Sequence, residues 1–251
     1  MRAVGETGWA YVGQTLNLRQ RLGQLCALYR DEIPFNDPHT AAPCLWVMRT
    51  TGDAEFEFSV TEVAGEVVDR KTAECVVVSE HRAEFGRSPT ANFGRMPDGW
   101  VKSSGNNRRL ADTGKLIRGH QSALATRSAD FPSILDTTGD PTASDWAGLH
   151  WSPWSSTIVA DQVDGVYRIR RAGEKRLVYI GQGRVRSRLT SHVAKSRVAE
   201  HRQRAAFTGE LEWSWWKMPG SVLARQLEAE CDLIASHALA GGSAPEAQFL
   251  G

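Results

Sequence analysis

The chain has 251 residues with a 41% apolar share, enough to bury one large core or two small ones. Thirty Lys and Arg against 29 Asp and Glu leave a formal net charge of +1, so any attraction to a polyanion must come from local clustering. No apolar run reaches the ~18 residues a membrane-spanning helix needs, so no membrane partner is expected. No signal-peptide core opens the sequence, which sets cytoplasmic as the expected location. Cys26, Cys44, Cys75 and Cys231 show no CxxC spacing, which argues against a zinc site or a disulfide framework.

In chain order, Gly8-Trp9-Ala10-Tyr11-Val12-Gly13-Gln14 reads as a strand, and Leu18-Arg19-Gln20-Arg21-Leu22 as the start of a helix. Phe56 to Val60 reads as another strand. A helical stretch carrying Glu74, Cys75 and His81 comes next, then a short tail, Pro89-Thr90-Ala91-Asn92-Phe93. Residues 96–160 differ in composition: Ser103 to Asn107 and Thr137 to Pro141 are rich in Gly, Ser, Asn, Asp and Thr. They read as a connector with one helix near Leu110 to Thr126. That stretch carries Lys102, Arg108, Arg109, Lys115, Arg118 and Arg127 against Asp112 alone. Trp146, Trp151 and Trp154 are expected to pack the connector onto the C-terminal domain, because buried tryptophan contributes so much apolar area. Stacking on a base is the other use of such residues.

From Gly165 to Ile169 and from Arg176 to Ile180, two strand-like runs flank the polar turn Arg171 to Lys175, the pattern of a β-hairpin with one tyrosine in each arm. Gly181 and Gly183 then open a helix with Val185, Leu189 and Val193 on one face and Arg184, Arg188 and His192 on its neighbour. Twelve Lys or Arg fall between Gly165 and Arg204 against Glu174 and Glu200 only. Such asymmetry points to a polyanion, most simply nucleic acid. After a third strand at Leu211 to Trp215, a long helix bears the stripe Leu223, Leu227, Cys231 and Ile234, with Glu230 at its edge. A carboxylate beside the core must be paired, hydrogen-bonded or bound to a cation.

The two ends of the chain match each other. Tyr11-Val12-Gly13 aligns with Tyr179-Ile180-Gly181, Arg21-Leu22 with Arg188-Leu189, Glu74-Cys75 with Glu230-Cys231, His81 with His237, and Pro89 to Phe93 with Pro245 to Phe249. A tandem duplication of a unit of roughly 85–95 residues is the simplest source. The mixed element order predicts an α+β fold with boundaries at 1–95, 96–160 and 161–251. The first copy starts too late to hold the first tyrosine strand, and has Leu25 where the second has His192.

Gly165-Val166-Tyr167, Val178-Tyr179-Ile180-Gly181, Arg188, His192 and Glu230 together resemble the GIY-YIG nuclease superfamily in order and spacing. The likeness spans nearly all of 163–251. A weaker copy over 8–94 holds Tyr11, Arg21, Glu74 and Asn92. The resemblance implies a three-stranded antiparallel sheet flanked by helices in each tandem domain, the first copy lacking its first strand. It also implies hydrolysis of phosphodiester bonds with one divalent cation, Mg²⁺ or Mn²⁺. By resemblance, Glu230 would ligate the metal, Tyr167 would help activate water with Tyr179 ordering it, and Arg188 would brace charge on phosphorus. His192 would relay a proton or contact the phosphate. The family's terminal Asn is Gln248 here, one methylene longer. Arg184, Arg186, Lys195, Arg197, Arg108 and Arg109 would hold nucleic acid, double-stranded DNA being the expected partner. One active unit per chain would need a dimer or two binding events to cut both strands.

Taken singly, Tyr167 and Tyr179 are ordinary strand aromatics, Arg188 a solvated helix residue, His192 a partly buried polar residue and Glu230 a salt-bridged carboxylate; only their joint spacing carries the functional reading. His81 and His237 are expected to be structural. The competing reading is a catalytically decayed nucleic-acid-binding protein that retains the fold, motivated by Gln248 and the short first copy. A small-molecule hydrolase lacks support, because no nucleophile–base pair or Gly-rich phosphate loop occurs.

Overall fold

The computed structural model describes residues 1–31, 33, 41–101, 120–121, 126–158 and 162–250. It is a mixed α+β protein that divides into two compact units, 1–62 with 88–129 and 63–87 with 130–251. Among the described residues, no helix is long and apolar enough to cross a membrane.

In the first unit, β1 (Arg2–Ala3) pairs antiparallel with β2 (Phe56–Glu57). Helix α1 (Leu18–Leu25) is started by Asn17, whose side chain accepts from the Gln20 backbone N–H and so satisfies one orphan donor of the first turn. Helix α2 (Ala41–Gly52) buries its N-terminal half, Ala41 through Val47. Leu25, Leu28, Leu45, Val47, Tyr11 and Met96 close this core. Strand β3 (Trp100–Val101) pairs with β4 (His120–Gln121). His120 and Gln121, inside the helix expected near 110–126, are instead strand: pairing with Trp100 and Val101 supplies backbone partners that helix propensity alone does not override. The rest of that expected helix lies outside the described residues.

The second unit holds β5 (Asp164–Arg171), β6 (Leu177–Arg184) and β7 (Leu211–Lys217) in the antiparallel order β6-β5-β7, with α3 (Val67–Phe85), α4 (Val185–Ser196) and α5 (Leu223–Gly241). The expected hairpin is β5–β6, turning at Gly173, whose φ of +74° suits glycine. Side chains alternate across the sheet. Val166, Leu177 and Ile180 pack with Leu233 and Ile234 of α5, while Tyr167 and Ile169 pack with Val185 and Leu189 of α4.

Helix α3, expected in the domain 1–95, belongs to this unit, and so do the connector residues from 130 on. The reason is a buried ion network. Arg82 is 1% exposed and binds Asp232 through Nε at 2.9 Å and Nη2 at 3.2 Å, lies 3.6 Å from Glu228, and donates to the Phe131 carbonyl at 2.7 Å. Phe131 N–H, Ile134 N–H and Asp136 N–H donate in turn to Glu228, Asp232 and Ser236. These bonds lay the connector along α5. The connector tryptophans pack as expected, through an unexpected partner: Arg168, wholly buried on β5, lies 4.2 Å from the Trp151 ring centroid, 4.7 Å from Trp154 and 5.9 Å from Trp146. Its guanidinium also donates to the Pro141 and Ala143 carbonyls.

Candidate active site

Strand alternation aims Tyr167, at the centre of β5, toward α4, where it is 1% exposed. Val185 and Leu189 anchor α4 in the core and bring His192, two turns into that helix, to the phenol. The Tyr167 hydroxyl lies 2.8 Å from His192 Nε2. The Tyr179 ring stacks 6.2 Å from that of Tyr167 and lies 4.6 Å from the imidazole, with Phe207 4.9 Å away on the histidine's other flank. His192 is 4% exposed.

Glycine makes this closure possible. A Cβ on Gly181 would stand 2.5 Å from the Tyr167 hydroxyl and 2.7 Å from the Tyr179 ring. Gly183, with φ of +116°, gives the same room to Arg188: a Cβ there would lie 3.3 Å from the arginine Nε.

The electrostatics share one cation. Arg188 is exposed, yet its charge acts on Tyr167, Tyr179, His192, Lys195 and Glu230. Burial pushes the Tyr167 phenol well above its usual range, helped by Tyr179 and Glu230 and opposed by Arg188. Tyr179 is pushed up to about 12 by burial and Glu230. His192 falls to about 3, through burial and then the charges of Lys195, Arg188 and His201. The Tyr167–His192 pair is thus uncharged at neutral pH, and the imidazole tautomer sets which of the two donates in their hydrogen bond. Its Nδ1 is buried with no hydrogen-bond partner among the described residues.

Glu230, on α5, is pushed up to about 7 by desolvation, with only Arg188 pulling the other way. Among the described residues, no three His, Cys, Asp or Glu side chains converge as a metal cage. A lone carboxylate that gains from added positive charge still fits a hard divalent ion completed by waters and substrate phosphate, the usual mode of Mg²⁺.

Gln248 meets the backbone at the residue after Tyr179. Its Oε1 accepts from the Ile180 backbone N–H at 3.1 Å and it is 3% exposed. Lys195 donates to Gln203 at 3.0 Å, and Gln203 donates to the Ala247 carbonyl. Lys195 therefore braces the C-terminal tail; Arg184, Arg186 and Arg197 are exposed. Arg108 and Arg109 lie outside the described residues. Of the first-copy set, Tyr11, Arg21 and Asn92 lie in the first unit and Glu74 on α3 in the second. Tyr11 is buried, and Arg21 donates to the Gln14 carbonyl at 3.2 Å. Each of His81 and His237 places Nδ1 against a carbonyl just past its helix, Arg87 at 3.0 Å and Ser243 at 2.9 Å, and so ties down the helix exit.

Sequence reasoning missed Phe207 and Gln203 as parts of the site. Neither carries a spacing signal, since each is placed by the 3₁₀ turn Ala205–Phe207 and the loop before it. No family model, no curated protein and no solved structure matches the chain.

Proposed function

We propose that the chain is a metal-dependent endonuclease of the GIY-YIG type, cutting phosphodiester bonds of nucleic acid, with double-stranded DNA the expected substrate. The observation that carries this reading is the 2.8 Å bond between the Tyr167 hydroxyl and a neutral, buried His192, with Tyr179 stacked beside it. In this reading Glu230 would hold one Mg²⁺ or Mn²⁺, whose positive charge would supply Lewis-acid help at the phosphate and the leaving oxygen. Tyr167 helps activate the attacking water, its buried phenol needing the positive charge of Arg188 and of the metal to act as a base, with His192 held against the same oxygen. Tyr179 orients that water, and the exposed Arg188 binds the phosphate with its planar donors. Arg184, Arg186 and Arg197 extend the contact along the backbone.

We also infer a tandem duplication. Matched bonds support it: Ala91 N–H to the Ala10 carbonyl and Ala247 N–H to the Val178 carbonyl, both 2.8 Å, and left-handed Phe93 and Phe249 at φ of 58° and 64°. The alternative, a decayed binding protein, rests largely on Gln248, whose amide makes a backbone contact that Asn92 also makes at Val12. Purified protein incubated with supercoiled plasmid and Mg²⁺ or Mn²⁺ should nick it, and Glu230→Ala should not. An intact plasmid with wild type, or cleavage that survives Glu230→Ala, overturns the proposal.

A further inference from the structure

Two rows of side chains cross the sheet on the Tyr167 face. One runs Trp215–Tyr167–Gly181 and the next Lys217–Gly165–Gly183, as the pairing of β7 with β5 and of β5 with β6 dictates. Neither Trp215 nor Lys217 carries a motif signal, and neither has a role in the nuclease chemistry assigned to Tyr167, Arg188 and Glu230.

The first row pairs Trp215 of β7 with Tyr167 of β5, on the same face of the sheet. Trp215 is partly exposed, and among the described residues its ring has no aromatic or cationic partner and its Nε1 makes no hydrogen bond. The other strand tryptophan on this face, Trp213, is 5% exposed and spends its Nε1 on the Thr157 carbonyl at 2.9 Å. Trp215 is nonetheless held rigidly. Its backbone pairs with β5 on one side, and on the other its N–H donates to Ser152 Oγ at 3.0 Å while its carbonyl accepts from Ser152 N–H at 2.9 Å. A fixed, half-open aromatic face costs little entropy when something stacks on it.

The second row is a floor without side chains between two cations. Lys217 is exposed and in no ion pair among the described residues, Gly165 and Gly183 leave bare backbone, and Arg188 lies against Gly183. A Cβ on Gly165 would run into the Trp216 carbonyl, so this floor stays low. A strip of backbone with a cation at each end suits a phosphate chain, and the indole beside it suits a base.

We propose that β7 completes the substrate site: Trp215 stacks the base of an unpaired nucleotide, and Lys217 contacts the phosphate next to it. This rests on the nuclease reading. It narrows the substrate to nucleic acid with an unpaired or extruded base at the cut, because a base inside a duplex already spends both faces on its neighbours.

Binding in EDTA separates the two ideas, since it needs no turnover. A labelled 12-nucleotide single strand should bind wild type more tightly than a blunt duplex of equal length. Trp215→Ala should weaken the single strand about tenfold or more while leaving duplex affinity unchanged, and Trp215→Phe should keep most of the affinity. Lys217→Gln should lower the slope of log K against log salt by about 0.7. In wild type, 2-aminopurine in the strand should lose fluorescence on binding, which reads the stack without any variant. Equal losses for strand and duplex, or no quenching of 2-aminopurine, overturn this inference. Binding and quenching without cleavage in Mg²⁺ or Mn²⁺ support it and sink the nuclease reading. Failure of wild type to bind nucleic acid at all sinks both.

Discussion

The stretch Met1–Gly13 of the first unit and the hairpin β5–β6 of the second are built with the same fasteners but different chemistry. Arg2 faces Glu57 and Trp9 as Arg170 faces Glu212 and Leu177, and both arginines pair with their glutamates. Asn92 grips Val12 through both its N–H and its carbonyl; Gln248 grips Ile180 N–H. In this register Met1 matches Ile169. Where the second unit buries His192, the first buries Leu25, packed with Leu28, Leu45 and Val47. Features common to both stretches hold the chain in place. Features of the second alone are candidates for chemistry.

That division can be broken at several points. The largest expected effect is at Arg82, which stands on α3 where α5 has Ala238. Arg82→Ala leaves Asp232 and Glu228 buried without their cation and should cost about 3–5 kcal/mol by denaturant titration. A shift under ~1 kcal/mol would mean the network does not hold α3 to α5. Next come the glycines. Gly181→Ala and Gly13→Ala each push a methyl group into a phenol and should each cost about 1–3 kcal/mol. Only Gly181→Ala should also abolish cleavage, so equal loss of activity in both would erase the contrast. Smaller still are the clips. Gln248→Ala and Asn92→Ala should each destabilise by about 1–3 kcal/mol through unpaired backbone groups, whereas Gln248→Asn should move Tm by a few degrees and leave kcat near wild type. A kcat collapse with Tm unchanged in Gln248→Asn would make it a reacting residue instead.

The last effect is a pH dependence. The folded Glu230 carboxyl titrates at about 7, above the 4.5 of an exposed glutamate, because burial disfavours its charge. Between those values the unfolded chain binds fewer protons, so this group makes stability fall as pH rises from about 4.5 to about 7 and level off above that. Glu230→Gln should therefore melt higher than wild type at about pH 8 and match it at about pH 4. Mg²⁺ should raise the wild-type Tm at the higher pH and leave Glu230→Gln unmoved. A variant that melts lower there would mean the carboxylate is stabilised in the fold.

The hairpin, the two 19-residue helices and the Tyr–Arg–His–Glu order were legible because each leaves a local mark: alternation, an apolar stripe, fixed spacing. The assignment of α3 to the second unit was not, since Arg82 and Asp232 are 150 residues apart and neither differs in sequence from a solvated charge. Gln248 read as a shifted active-site amide because sequence shows the residue type and not which backbone group it meets. Gly181 was expected to open the helix, but it lies inside β6, and the helix starts only at Val185; that Gly181 makes room for two phenols depends on the register of β5 against β6.

The most direct test of the phenol–imidazole pair is single-turnover nicking of plasmid by wild type, Tyr167→Phe and Tyr11→Phe in saturating Mn²⁺. Removing the Tyr167 hydroxyl should slow nicking at least ~10-fold, while Tyr11→Phe stays within about twofold of wild type. Equal rates for wild type and Tyr167→Phe would contradict a catalytic role for the phenol.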